Sequence, residues 1–126
     1  MNGDGYPDLA GVNNKCLGVL FGNGDGTFQP EIDWDLNYLY DVKIADFNHD
    51  GKLDLLAAQY YGRVGLLRNL GGGNFGQADP YAFSTSPFAG YFAVGDFNHD
   101  GFPDLAGPIL GNYANLVDIL MNSGVQ

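Results

Sequence analysis

A nine-residue segment occurs twice in full, as Asp46-Phe-Asn-His-Asp-Gly-Lys-Leu-Asp54 and Asp96-Phe-Asn-His-Asp-Gly-Phe-Pro-Asp104, and once cut short, as Asn2-Gly-Asp-Gly-Tyr-Pro-Asp8. Aligning Gly5, Gly51 and Gly101 gives spacings of 46 and 50 residues. A chain that repeats at this interval is confined to propellers, solenoids and similar arrays, because one such unit cannot bury its apolar face alone. A second landmark keeps the register: the stretch from Gly18 to Gln29 matches the stretch from Gly65 to Gln77, and a third copy begins at Val117 and stops inside its turn at Gly124.

The spacing inside the segment carries chemistry. Oxygen side chains at positions 1, 3, 5 and 9, with Gly at 6, can wrap a hard cation that takes six to eight oxygens. Alternate residues of a tight loop point into its concavity, and the glycine turns the chain so that the position-7 carbonyl and the position-9 carboxylate come round. Asp46, Asn48, Asp50, Lys52 (through its carbonyl) and Asp54 make one expected Ca2+ site, and Asp96, Asn98, Asp100, Phe102 (through its carbonyl) and Asp104 make a second. Asn2, Asp4, Tyr6 and Asp8 make a third at the shortened copy, which lacks position 1. An EF-hand would need Glu at position 12, where the chain has Ala57 and Gly107. The plainer reading of such residues is turn capping, but the recurrence of the whole donor set favours metal. His49 and His99 at position 4 point away from the ion and read as spacers, and the Asn23-Gly-Asp-Gly26 segment reads as a hairpin turn.

Short apolar runs broken by Gly and Pro, without helical periodicity, predict an all-β fold. Each unit is expected to hold four antiparallel strands: an inner one (Val42 to Phe47; Phe92 to Phe97), a second (Leu53 to Gln59), a third (Val64 to Asn69) and an outer one (Asn74 to Phe83). Four such strands per repeat describe a β-propeller blade. About two and a half repeats then fill one region, with a shortened first blade over 1–40, a full second over 41–90 and a shortened third over 91–126. Met1 stands where Phe47 and Phe97 stand, as expected of a piece cut from a longer array.

The Asp-x-Asn-x-Asp-Gly-x-x-Asp loops and the Gly-x-Gly-x-Phe hairpin at Gly24-Asp-Gly-Thr-Phe28 resemble the FG-GAP repeats of integrin α-subunit propellers and the related VCBS-type repeats of bacteria. The resemblance covers nearly the whole chain. It implies a propeller stapled by Ca2+, in secreted or cell-surface proteins that adhere, bind glycans or carry catalytic domains. Propellers of that family usually close with seven blades, so two and a half units imply association, either as a homo-oligomer or with other propeller segments.

Charge and composition narrow the partners. Net charge is −10, and eight of the fifteen acidic residues lie in the three loops, so most of the acidity is local. Five scattered Lys and Arg residues leave no footprint for nucleic acid. No apolar run is long enough to insert in a membrane as a helix. Cys16 is alone and reads as a small buried hydrophobe.

Meander connectivity puts the calcium loops and glycine-rich hairpins on one face and the remaining turns on the other. The second face is expected to gather Trp34, Tyr38, Tyr40, Tyr60, Tyr61, Arg63, Phe88, Tyr91 and Tyr113. Amphipathic rings beside a guanidinium suit a glycan or an extracellular protein; the alternative is that single rings fill space between blades. No nucleophile with a partner His, phosphate cradle or zinc set is evident. The reading is a non-catalytic calcium-binding module for adhesion or glycan binding, secreted or at the cell surface. A propeller segment of a secreted polysaccharide-degrading enzyme, and a pure assembly scaffold, stand beside it.

Overall fold

A computed structural model describes residues 1–13, 15–59, 63–77, 91–108 and 117–124. Among these residues there is no helix, and so none that could cross a membrane. Three antiparallel sheets recur along the chain. The first runs β1 (Leu9–Val12), β2 (Cys16–Leu20), β3 (Ile32–Asp35), and the second β4 (Leu39–Ala45), β5 (Asp54–Gln59), β6 (Val64–Leu67). A two-residue-wide hairpin, β7 (Asn69–Gly71) with β8 (Asn74–Phe75), follows, and the third sheet holds β9 (Ala93–Gly95), β10 (Asp104–Pro108) and β11 (Val117–Leu120).

The pairing registers are equivalent: Leu9 faces Leu20, Leu55 faces Leu67, and Leu105 faces Leu120. The middle sheet is buried on both sides, which is why β5 reads Leu-Leu-Ala-Ala without alternation. Leu55, Ala57 and Leu67 pack with Leu17 and Val19 of β2 and with Phe21 just beyond its end. Leu56, Ala58, Val64 and Leu66 turn the other way and pack with Phe92 and Leu105 toward the third. Each fully buried leucine contributes roughly 1.5–3 kcal/mol to this packing. The end sheets are covered on one side only, so β11 alternates and leaves Val117 and Ile119 exposed.

The structure departs from the expected strands at three places. The described sheets have three strands or, in the β7–β8 hairpin, two, and of the expected outer strand Asn74 to Phe83 Asn74–Phe75 pairs among the described residues, residues 78–90 lying outside them. The third strand stops at Leu67 because the Asn69 amide leaves the ladder for the Asp54 carboxylate. Residues Ile32–Asp35, to which the sequence pattern assigns no strand, form β3 against β2. Asp33 and Asp35 alternate there with Ile32 and Trp34, as on an edge strand that keeps charge outward.

Candidate functional site: three repeated acidic loops

Each loop is built by the same short bonds. In the second, the Asp46 carboxylate accepts the amides of Asp50 (3.1 Å) and Gly51 (2.8 Å), while the Asn48 Oδ1 shares the Asp50 amide (3.1 Å). In the third, Asp96 accepts from Asp100 (3.2 Å) and Gly101 (3.0 Å), and Asn98 shares the Asp100 amide (3.0 Å). Position 5 accepts from the amide of position 7, Lys52 (2.9 Å) or Phe102 (2.8 Å), and Asp4 does the same for Tyr6 (2.9 Å). Oxygens from positions 1 and 3 therefore meet at one atom, which suits the start of an oxygen cage. Among the described residues, however, no three His, Cys, Asp or Glu side chains form a ready-made metal cluster. The carboxylates face the loop's own amides, and the Lys52 ammonium lies 2.9 Å from Asp50, holding its carboxyl below the ordinary value.

Position 4 has left-handed backbone in all three loops: Gly3 (φ 88°), His49 (φ 57°) and His99 (φ 62°). Only glycine adopts this without steric cost, so the two histidines are held there by the loop. His49 also reaches the next loop, its ring lying 4.5 Å from that of Phe102. Read from the spacing alone, the histidines had no role beyond that of spacers; an Asn-His-Asp at loop centre was the available sign of a left-handed residue.

The position-9 carboxylates do something the spacing does not announce. Asp54 is fully buried, with one oxygen accepting the Phe47 amide (3.1 Å) and the other the Asn69 amide (2.8 Å). Asp104 is placed identically between Phe97 (2.9 Å) and Asn122 (2.7 Å). Asp8 bridges Asn2 (3.3 Å) and Gly22 (3.0 Å) and also takes the Met1 ammonium. Each therefore clamps the beginning of its loop to the residue two positions beyond the end of β2, β6 or β11. Burial pushes the Asp54 carboxyl up, its two backbone hydrogen bonds oppose this, and the charges of Asp50 and Asp46 push the same way as burial. For Asp8 burial also pushes up, but the bonds from the Met1 ammonium, Gly22 and Asn2 win and hold it below its ordinary value.

The position-7 side chain locks the loop to the hairpin beyond it. A Cβ on Gly24 would lie 2.4 Å from the Tyr6 ring, one on Gly124 2.4 Å from the Phe102 ring, and one on Gly71 3.6 Å from the Lys52 chain. Gly24 has φ 83°, so a side chain there meets both backbone strain and the ring. Gly24→Ala is expected to destabilise the protein by about 1–3 kcal/mol, read as a lowered midpoint in urea unfolding. The neighbouring Asp25 is engaged by the Thr27 hydroxyl (2.6 Å) and amide (2.9 Å), forming the expected turn.

The aromatic candidates are dispersed. Trp34 packs edge-on against Phe75 at 5.6 Å, within the apolar layer between the first two sheets. Tyr38 is 71 % exposed at φ 56°, and Tyr40 and Tyr91 are exposed with ring centroids 6.1 Å apart. Arg63 is exposed, and its carbonyl accepts the Gln59 amide at 2.7 Å. Tyr60, Tyr61, Phe88 and Tyr113 lie outside the described residues.

No curated protein and no solved structure matched the chain. A family model described as the FG-GAP-like repeat matches twice, over residues 1–57 and 46–107, each match containing at least one of the loops described above. With that match covering most of the sequence, and with the loops, hairpins and sheets recurring in step with it, the chain belongs to the FG-GAP-like repeat family.

Proposed function

We propose that this chain is a calcium-binding segment of a β-propeller, non-catalytic, in which structural Ca2+ rigidifies the loops and the tyrosine-bearing side binds a glycan or an extracellular protein. The observation that carries the reading is the threefold repetition of one loop with one bonding pattern. Asp46, Asn48 and Asp50, the Lys52 carbonyl and Asp54 would hold one ion; Asp96, Asn98, Asp100, the Phe102 carbonyl and Asp104 a second; Asn2, Asp4, Asp8 and the Tyr6 carbonyl a third. These donors are all hard oxygens, as Ca2+ requires, and the adjacent charges of Asp46, Asp50 and Asp54 repel one another until a cation is present. Bound Ca2+ would supply the positive charge that offsets these carboxylates.

Sheets that pack face to face, with one repeated strand register, support the propeller reading, with a fourth strand per blade. The exposed Tyr40 and Tyr91 pair, with Tyr38 nearby in sequence, offers flat amphipathic area of the kind sugars stack on. A secreted or cell-surface setting follows from extracellular calcium modules, whose Kd is about 0.1–1 mM.

Isothermal titration of the chelated protein tests the reading. Two or three Ca2+ ions are expected per chain, falling by two in the Asp46→Ala, Asp96→Ala double variant. Absence of binding heat at millimolar Ca2+, in a protein that remains folded, would overturn it.

A further inference from the structure

Two residues beyond the ends of β2, β6 and β11 stand Gly22, Asn69 and Asn122, and all three donate their amide to the position-9 aspartate of their own loop. The two asparagines do more. The Asn122 Nδ2 donates to the Phe47 carbonyl at 2.8 Å, across 75 residues, and Phe47 is position 2 of the preceding loop. The Asn69 Nδ2 donates to the Met1 carbonyl at 2.8 Å, position 2 of the loop before that. Both side chains are buried, at 1 % and 3 % exposure, and both Oδ1 atoms accept a glycine amide two residues on, which fixes the orientation of the side-chain amide. Gly22, in the same register, carries no side chain with which to reach another loop.

One continuous chain of hydrogen bonds results. The Met1 carbonyl is held by Asn69, whose amide holds Asp54; Asp54 holds the Phe47 amide; the Phe47 carbonyl is held by Asn122, whose amide holds Asp104, which holds the Phe97 amide. The peptide groups adjoining position 2 of the middle loop are thus fixed from both sides: by its own unit through Asp54 and by the next unit through Asn122. Phe47 follows directly on Asp46, the first expected ligand, so the position of that ligand depends on a residue of the neighbouring repeat.

We propose that Asn69 and Asn122 are inter-repeat positioning residues that set the cation affinity of the loop in the preceding unit. The inference rests on the calcium reading of the loops. A latch that holds a loop in its binding shape removes ordering entropy from the binding step. By linkage, a cation in the middle loop tightens the docking of the third sheet by the same factor. Among the described residues the third loop has no such latch; it meets Asn122 through the backbone amide that Asp104 accepts, which alanine keeps, so its affinity is expected not to depend on the Asn122 side chain.

The test is a Ca2+ titration of the full chain by amide NMR, in which Gly5, Gly51 and Gly101 report their loops separately, together with amide hydrogen exchange in chelator. In Asn122→Ala the Gly51 midpoint is expected to rise about three- to tenfold, the worth of one neutral hydrogen bond, with the Gly101 midpoint unmoved. Exchange at Asp50 and Gly51 is expected to speed up by a similar factor without metal. Equal shifts at Gly51 and Gly101, or none at either, would overturn the proposal. If wild-type loops do not respond to Ca2+, the calcium reading fails, and the latch is then judged on exchange alone: faster at Gly51 but not at Gly101 keeps it, no difference removes it. Should Asn122→Ala not fold, Asn122→Gln, which keeps the amide but displaces it, is read by the same criteria.

Discussion

Asp54→Ala is expected to cost about 4 kcal/mol of folding free energy in the absence of metal, because it strips two buried amides of their acceptor at about 1–3 kcal/mol each. For a domain of this size that lowers Tm on the order of 15 °C. The Phe47 and Asn69 amides belong to different segments, so the loss also frees the loop from the end of β6. Asp54→Asn does not repair the damage, since its NH2 must face one of the two N–H groups. Asp50→Ala, in an exposed loop position, is expected to leave chelated Tm nearly unchanged. Calorimetric scans of the three variants in excess chelator decide the matter. A Tm for Asp54→Ala equal to that of Asp50→Ala would show that Asp54 acts only toward a ligand and not as a clamp.

That contrast also marks what the sequence can and cannot show. Asp50 and Asp54 are equivalent letters in a loop motif, and the motif, its period and the apolar run Leu55 to Ala58 were enough to place the loops, the middle strand of the second unit and the hairpins. The division of labour between the two aspartates was not legible, since it depends on amides up to fifteen residues away for Asp54. The latch from Asn122 to Phe47 spans 75 residues and has no local signature. Asn69 read only as the last residue of a strand and Asn122 only as part of the stretch from Val117 to Gly124, and Gly22 in the same register hides their equivalence. Strand β3 was missed for a different reason: Asp33 and Asp35 made Ile32–Asp35 resemble a polar connection, although their alternation with Ile32 and Trp34 has the two-residue period of a strand. Trp34 was legible as an aromatic of note, and its packing on Phe75 follows from which side of that strand it occupies.

Calcium is expected to have the second large effect. At about 2 mM Ca2+, one site of Kd about 0.1 mM adds roughly 1.8 kcal/mol, and two independent sites about 3.6 kcal/mol. Relative to excess chelator, Tm then rises on the order of 10 °C or more. Simple screening acts in the same direction, because the chain carries a net charge of −10 with eight of its fifteen acidic residues in the loops. The two causes separate by concentration: a site of this affinity saturates within a few millimolar, whereas screening over the distances between loops needs about 0.1 M salt. NaCl at the ionic strength of the Ca2+ sample is therefore expected to move Tm little, and the Asp46→Ala, Asp96→Ala variant to lose most of the Ca2+ increment while keeping its response to salt. An equal response to NaCl and Ca2+ at matched ionic strength would mean that the loops are turns closed by their own amides, with Asp54 and Asp104 as internal struts and no ion needed to hold them.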